Sequence, residues 1–357
     1  MVRLFGREFT RRELLSYTSN LAQLGGIRPV ELAAGRERGV RAFDVATGTG
    51  FEFTVLADRA LDLTRMTFRG LPMAHFTPSG QAHPAYYEEE GAGWLQTFPG
   101  GAMTTCGLAV VGASCTDEGK ALPLHGRVSA LPAEELGYWG EWQGDDYWMH
   151  ITGTLTEGVI FGNPLRLTRK LSAKLGGNSV LIQDTVENLS GESTPHMMLY
   201  HCNFGWPLLS QDSQLVTNSR TVTPVTEIAA AGLGAWSTFE EPTPGYHEQV
   251  FYHAMAADNA GDVRVALLNP ALGLGLGLRY HQKSLPRFVQ WKQMGFSHYV
   301  LGLEPANCGV EGRDKERARG TLVVLQPGES RDYTLELTAL DGAAAMEAFA
   351  AEIKLGA

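Results

Sequence analysis

Cysteine is scarce in this sequence. Four stand among 357 residues (Cys106, Cys115, Cys202 and Cys308), and no two form a C-x-x-C pair. So thin a supply argues against a disulfide scaffold or a thiolate zinc cage, and it fits a reducing compartment. Long apolar runs are also missing. Nothing reaches the roughly eighteen residues that a membrane-spanning helix needs, and the opening MVRLFGREFTRRELLSY has no apolar signal core. A cytoplasmic protein that does not engage membranes is the expectation. Positive charge is short too, with Lys+Arg 29 against Asp+Glu 39 and a net charge of -10. No basic stretch interleaves with aromatics, so nucleic acid is not an expected partner. Metal-ligand spacing is absent as well. His125, His196, His201, His247 and His253 include no H-x-H or H-x-x-x-H pair on one face, and no metal or cofactor is expected.

Helix signals sit at the two ends. Thr10 followed by Glu13 is a capping-box pattern that predicts a helix to about Tyr17. The alanine-rich DGAAAMEAFAAEIKL predicts a second helix over 341–355, with Asp341 as its cap. Between them the text is strand-like, punctuated at short intervals by Gly, Pro, Asn and Asp. LRLTRKLSAKLGGNSVLIQDTVEN reads as a hairpin. Leu165, Leu167, Arg169 and Leu171 share one face; Val180, Ile182, Asp184 and Val186 share another on the return. GTLVVLQPGESRDYTLELTAL reads as a second hairpin around PGES. The alternation of LGLGLGL into RYHQ predicts a closely packed strand, because a phosphate-binding loop must open a helix. With 44% hydrophobic residues and no linker, the expectation is a single mainly β domain over 1–357 built as a large antiparallel sandwich.

Three segments carry candidate chemistry. LPLHGRVSALPA brings His125 and Arg127 around Gly126, where the bland reading is an ordinary loop histidine. In TPHMMLYHCNFGWPLL, alternation puts Met197, Leu199, His201 and Asn203 on one face, with Phe204 and Trp206 following. His and Asn beside aromatics suit a sugar site, though a satisfied core histidine fits the pattern equally well. YVLGLEPANCG places Glu304 at the end of an apolar strand, on one face with Val300 and Gly302. Gly302 removes bulk two residues from the carboxylate, leaving room for a ligand; an edge glutamate turning to solvent is the alternative. Asp58 with Arg59 in ADRALDL, and Glu248 and His253 in GYHEQVFYHAM, complete the inventory. For Asp58, Glu248 and His253 a structural role is the simpler reading.

The order of VLADRALDL, PGGAMTTCGL, LHGRVSALPA, LYHCNFGWPLL and YVLGLEPANC resembles the galactose mutarotase-like superfamily, and within it the DUF4432 subgroup of aldose 1-epimerase-like proteins. The resemblance runs from about residue 40 to 340. It implies a β-supersandwich of two large, mostly antiparallel sheets with short terminal helices and a concave sugar-binding face. Carried over by motif, Glu304 matches the general base on the anomeric hydroxyl and His201 the acid at the ring oxygen. His125 matches the assisting histidine, and Glu248 stands for the substrate-binding aspartate. The superfamily's substrate-binding arginine falls in FPGGAMTTCGL, which contains none, so Arg59 or Arg127 is expected to substitute. Lys292 in VQWKQMG and Asn203 join the substrate-binding set, and this basic trio makes an anionic sugar a candidate. The implied activity is anomer interconversion by acid–base ring opening, without a cofactor, on a monosaccharide or sugar derivative. Two rivals stand beside it: an isomerase or epimerase acting at carbon 2 or beyond, and a non-catalytic carbohydrate binder. Assembly into a homo-oligomer is left open.

Overall fold

The computed structural model describes residues 1–355, and the chain is mainly β with short helices. The periodicity of the first predicted hairpin dictates its pairing. Leu165–Lys174 and Ser179–Asn188 run antiparallel with Leu171 opposite Ile182 and Arg169 opposite Asp184. They lie within an eight-stranded antiparallel sheet. Its order is Glu134–Gln143, Asp146–Glu157, Leu165–Lys174, Ser179–Asn188, Ser330–Asp341, Leu274–His281, Asp262–Asn269 and Gln214–Val216. We call this the back sheet.

The second large sheet, the site sheet, is seven-stranded. Ser219–Pro224, Gln249–Met255, Arg287–Gly295, His298–Ala306, Thr194–Gly205 and Val323–Leu325 follow one another, and Thr104–Leu108 also pairs with Thr194–Gly205. A five-stranded meander spans Gly26–Glu31 to Leu71–Pro72. One apolar cluster joins all three sheets, with Phe53 and Leu63 from the meander, Ile182 and Leu335 from the back sheet, and Tyr200 and Leu303 from the site sheet.

That core also holds a buried ionic knot. Arg169 Nη2 bonds Asp184 Oδ2 at 2.7 Å, and its Nη1 bonds Asp62 Oδ1 at 2.9 Å. Tyr200 donates to Asp184 at 2.6 Å, and Arg169 Nη2 donates to Thr105 at 2.9 Å. Members from all three sheets are therefore tied by one guanidinium whose charge and donors are all answered, the condition under which a buried charge is tolerated.

The N-terminal helix Arg11–Tyr17 carries the expected capping box. The C-terminal helix Gly342–Leu355 also forms, but Asp341 does not cap it. Asp341 ends the preceding strand, and its carboxylate is held by Arg69 through bonds of 2.9 and 2.7 Å. The PGES hairpin is a second correction. Val323–Leu325 pairs with the edge of the site sheet, whereas Ser330–Asp341 sits in the middle of the back sheet. The turn crosses between layers because each strand finds a better-matched partner from elsewhere in the chain. Leu274–His281 is a strand as expected; side chains at Gly275 and Gly277 would strike Leu268 and Phe349.

Candidate active site

Two central strands of the site sheet carry His201 and Glu304. Asn203 pairs with Gly302 and Leu199 with Ala306, a register that puts His201 directly opposite Glu304. His201 Nε2 lies 3.3 Å from Glu304 Oε1, and both side chains are buried. Neither His201 Nδ1 nor Glu304 Oε1 has a protein hydrogen-bond partner. Such orphans are rare in buried positions and mark a place where a missing partner is expected.

Gly302 explains the geometry differently from the sequence reading. A Cβ there would run into Glu304 Oε1 and approach Trp291 Cβ to 2.9 Å. The room cleared by this glycine is thus filled by the carboxylate itself, which folds back along its own strand toward His201.

Aromatic rings wall the pair. Phe98 lies 5.1 Å from His201, Trp291 5.4 Å, and Trp94 6.3 Å, centroid to centroid. Trp94 stacks on Phe98 at 4.4 Å and fixes its own ring with a bond from Nε1 to Ser129. His125 adds a further ring, 4.7 Å from Trp94 and 5.7 Å from His201. It sits at φ 56°, an unusual backbone for a side-chain-bearing residue. The loop holds it there: His125 N–H donates to the Gly112 carbonyl at 2.9 Å, and its carbonyl accepts from Gly107 N–H at 3.1 Å. Only glycine fits next, since a Cβ at Gly126 would collide with the Gly107 carbonyl.

Burial sets the protonation states. It lowers His201 to about 3, helped by nearby His125, and lowers His125 to about 4. It raises Glu304 well above the usual carboxylate range, with the charge of Glu248 adding to the effect. His201 therefore lies well below the usual histidine range. Desolvation disfavours both charged forms and so favours a neutral imidazole beside a protonated carboxyl. The pair carries one proton, and the ion pair Glu304⁻/His201⁺ differs from it only by transfer of that proton.

The remaining expected site residues divide. Glu248 stands exposed at the rim and accepts a 2.7 Å bond from Trp291 Nε1, which orients that ring. Asn203 lies on the same face as His201, but its amide donates to the carbonyls of His201 (2.7 Å) and Gly101 (3.2 Å). Its Oδ1 is left without a partner. Arg127 is at the rim and paired with Glu89.

Arg59 and Lys292 are not in the cluster. Arg59 is buried and spends its guanidinium on the carbonyls of Ala82 (2.7 Å) and Thr97 (2.9 Å), pinning both ends of the segment that carries Trp94. Lys292 follows Trp291 in a strand, so it faces the core side, where Nζ meets Glu240 Oε2 at 2.8 Å and the Ala235 carbonyl at 3.0 Å. Asp58 and His253 have the structural roles expected of them. Asp58 is bonded by Arg41, and His253 bridges Ser219 and Gln290. Sequence reasoning missed Trp94 and Phe98, whose one signal is a pair of aromatics in the glycine-rich GAGWLQTFPGG. Among the described residues no group of three or more His, Cys, Asp or Glu is placed to hold a metal ion.

The two facing sheets make the mutarotase-like class of β-sandwich. A Klebsiella pneumoniae protein, provisionally described as an aldose 1-epimerase, is similar at 26% identity and TM-score 0.88, covering 92% of this chain and 87% of its own. The galactose 1-epimerase of Lactobacillus acidophilus shares the fold at 14% identity and TM-score 0.59, covering 89% of this chain and 100% of its own. A galactose mutarotase-like protein of Clostridium acetobutylicum does so at 12% and 0.60, with 89% and 99% covered. No curated protein sequence matches the chain. The chain belongs to the DUF4432 family, described as a domain of unknown function, whose profile matches residues 37–339.

Proposed function

We propose that this protein binds a monosaccharide or sugar derivative and interconverts its anomers. The observation that carries the reading is the buried pair His201–Glu304, with each residue holding one unpartnered polar atom in an aromatic-walled recess. Flat aromatic faces suit the C–H faces of a sugar, and the polar atoms suit its hydroxyls.

Ring opening needs a proton taken from the C1 hydroxyl and a proton given to O5 as the C1–O5 bond breaks. The open-chain aldehyde rotates about C1–C2, and reclosure reverses both transfers. Glu304 as base and His201 as acid use the ion-pair form of the dyad; each transfer contributes about 10²–10⁴-fold. After one opening the proton has moved from His201 to Glu304, and reclosure restores it, so the cycle balances without a cofactor. An aldose 1-epimerase-type isomerase is the corresponding enzyme class, in line with the names given to its structural relatives.

Anomeric exchange followed by NMR saturation transfer, over a panel of sugars, tests this directly. Glu304→Gln should reduce exchange to the buffer rate while sugar binding persists. Equal exchange by wild type and Glu304→Gln would sink the proposal. For the rival isomerase acting at carbon 2 or beyond, Lys292 cannot serve as the additional base, because it is turned to the other face and held by Glu240. Absence of solvent deuterium at carbon during exchange separates the two.

A further inference from the structure

The site sheet continues past the acid–base pair. Along His298–Ala306 the residues on the Glu304 face are Gly302, Val300 and His298, and their cross-strand partners are Trp291, Gln293 and Gly295. Gln293 is thus one step beyond Trp291 on the same face. Its Oε1 is buried and has no hydrogen-bond partner. A Cβ at Gly295 would lie 2.9 Å from that oxygen and 3.8 Å from His298 Cβ, so Gln293 and His298 are neighbours.

A third group arrives from outside the sheet. The 73–77 segment is laid across the end of Thr194–Gly205 by the bond from His75 N–H to the Asn203 carbonyl at 3.0 Å. His75 packs on Gly205, whose Cβ, if present, would sit 3.1 Å from His75 Cβ and 3.3 Å from its Nδ1. Glycine is required there for the imidazole to reach the face. No protein group among the described residues bonds either nitrogen of this ring. Burial and the nearby His298 lower His75 to about 4, so it is neutral at pH 7, with one donor and one acceptor to offer.

We infer that His75 and Gln293 form the far, uncharged half of the binding site, reading hydroxyls remote from the reacting carbon of a sugar that bears no phosphate, sulfonate or carboxylate there. The inference rests on the sugar-site reading and extends it to substrate class. An amide and a neutral imidazole each match a hydroxyl's paired donor and acceptor. A buried anion instead needs a cation or a fork of donors. Every cation the sequence would have supplied is committed elsewhere: Arg59 to two carbonyls, Lys292 to Glu240, Arg127 to Glu89. Glu248 adds negative charge at the rim.

The test measures binding and exchange separately on the full-length protein. Saturation-transfer difference NMR would report binding of glucose, galactose and xylose against glucose 6-phosphate and glucuronate, and anomeric saturation transfer would report turnover. Neutral sugars should bind about tenfold or more tighter than their anionic counterparts, the size expected when a buried group is left without its partner. Gln293→Leu and His75→Phe should weaken neutral-sugar binding by a similar factor, and Gln293→Asn should recover part of the loss.

Tighter binding of an anionic sugar would overturn the inference and leave the mutarotase reading standing, as would unchanged neutral-sugar affinity in folded Gln293→Leu. Neutral sugars that bind without exchanging would sink the mutarotase reading and leave this one. If no sugar binds, both fall. The wild-type panel keeps the test decisive even if a variant fails to fold.

Discussion

Gly302 and Glu304 are coupled through space: the carboxylate occupies the volume a side chain at Gly302 would need. Gly302→Ala should therefore displace Glu304 from its place opposite His201 while leaving the surrounding sheet paired. The expected outcome is a fall in anomeric exchange of about 10²-fold, the cost of a misplaced catalytic group, with a modest loss of stability from crowding against Trp291. A variant with full activity would show that the carboxylate does not act from this position.

The pH dependence of exchange should lack the usual histidine limb near 6.5 (about the free imidazole value). Glu304 is raised and His201 lowered to about 3, so the one-proton dyad persists between those two values. Falling pH inactivates only as His201 takes a second proton near 3, and rising pH only as Glu304 passes its raised value. The two steps belong to the pair as a unit. Lowering the pH from about 7 to 5 should therefore leave kcat/KM undiminished; an acid-side loss near the free imidazole value would contradict the burial of the dyad.

Lys292→Met should separate structure from function. The replacement keeps the buried stem but leaves Glu240 and the Ala235 carbonyl without their cation. Stability should drop by about 1–3 kcal/mol in urea unfolding, and sugar affinity should not change. A loss of affinity at unchanged stability would return Lys292 to the binding site.

Arg169→Leu removes the centre of the ionic knot and strands Asp62 and Asp184 in the core. Breaking a buried pair from one side costs about 3–5 kcal/mol, readable as a shift in the denaturant midpoint. A midpoint near wild type would mean that the two aspartates are protonated and the knot contributes little.

Much of this was legible in the sequence because strand alternation is local. Arg169 and Asp184 fall on the apolar faces of their strands, which is the face that turned inward. Glu304 shares a face with Gly302, and His201 with Asn203, by parity alone. The capping box at Thr10 and Glu13 is likewise written in four consecutive residues. Parity cannot say which face is concave, and that is why Lys292 was expected at the sugar: it alternates with Trp291, and only the packing of the two sheets shows Trp291 to be the one facing the site. The PGES turn misled for a related reason, since its flanking strands found partners far away in sequence.

The sequence by itself determined the class of fold and the faces of the strands, and it singled out His201 and Glu304 as the candidate pair. The tertiary structure decided that His201 and Glu304 oppose each other at 3.3 Å in a buried setting that disfavours charge on both. It also recruited Trp94, Phe98, His75 and Gln293, and it retired Arg59 and Lys292 to structural duty. The physical reason is the same throughout. Side-chain direction follows from local backbone geometry, whereas register, burial and charge partners depend on segments far apart in the sequence that meet only when the sheets close.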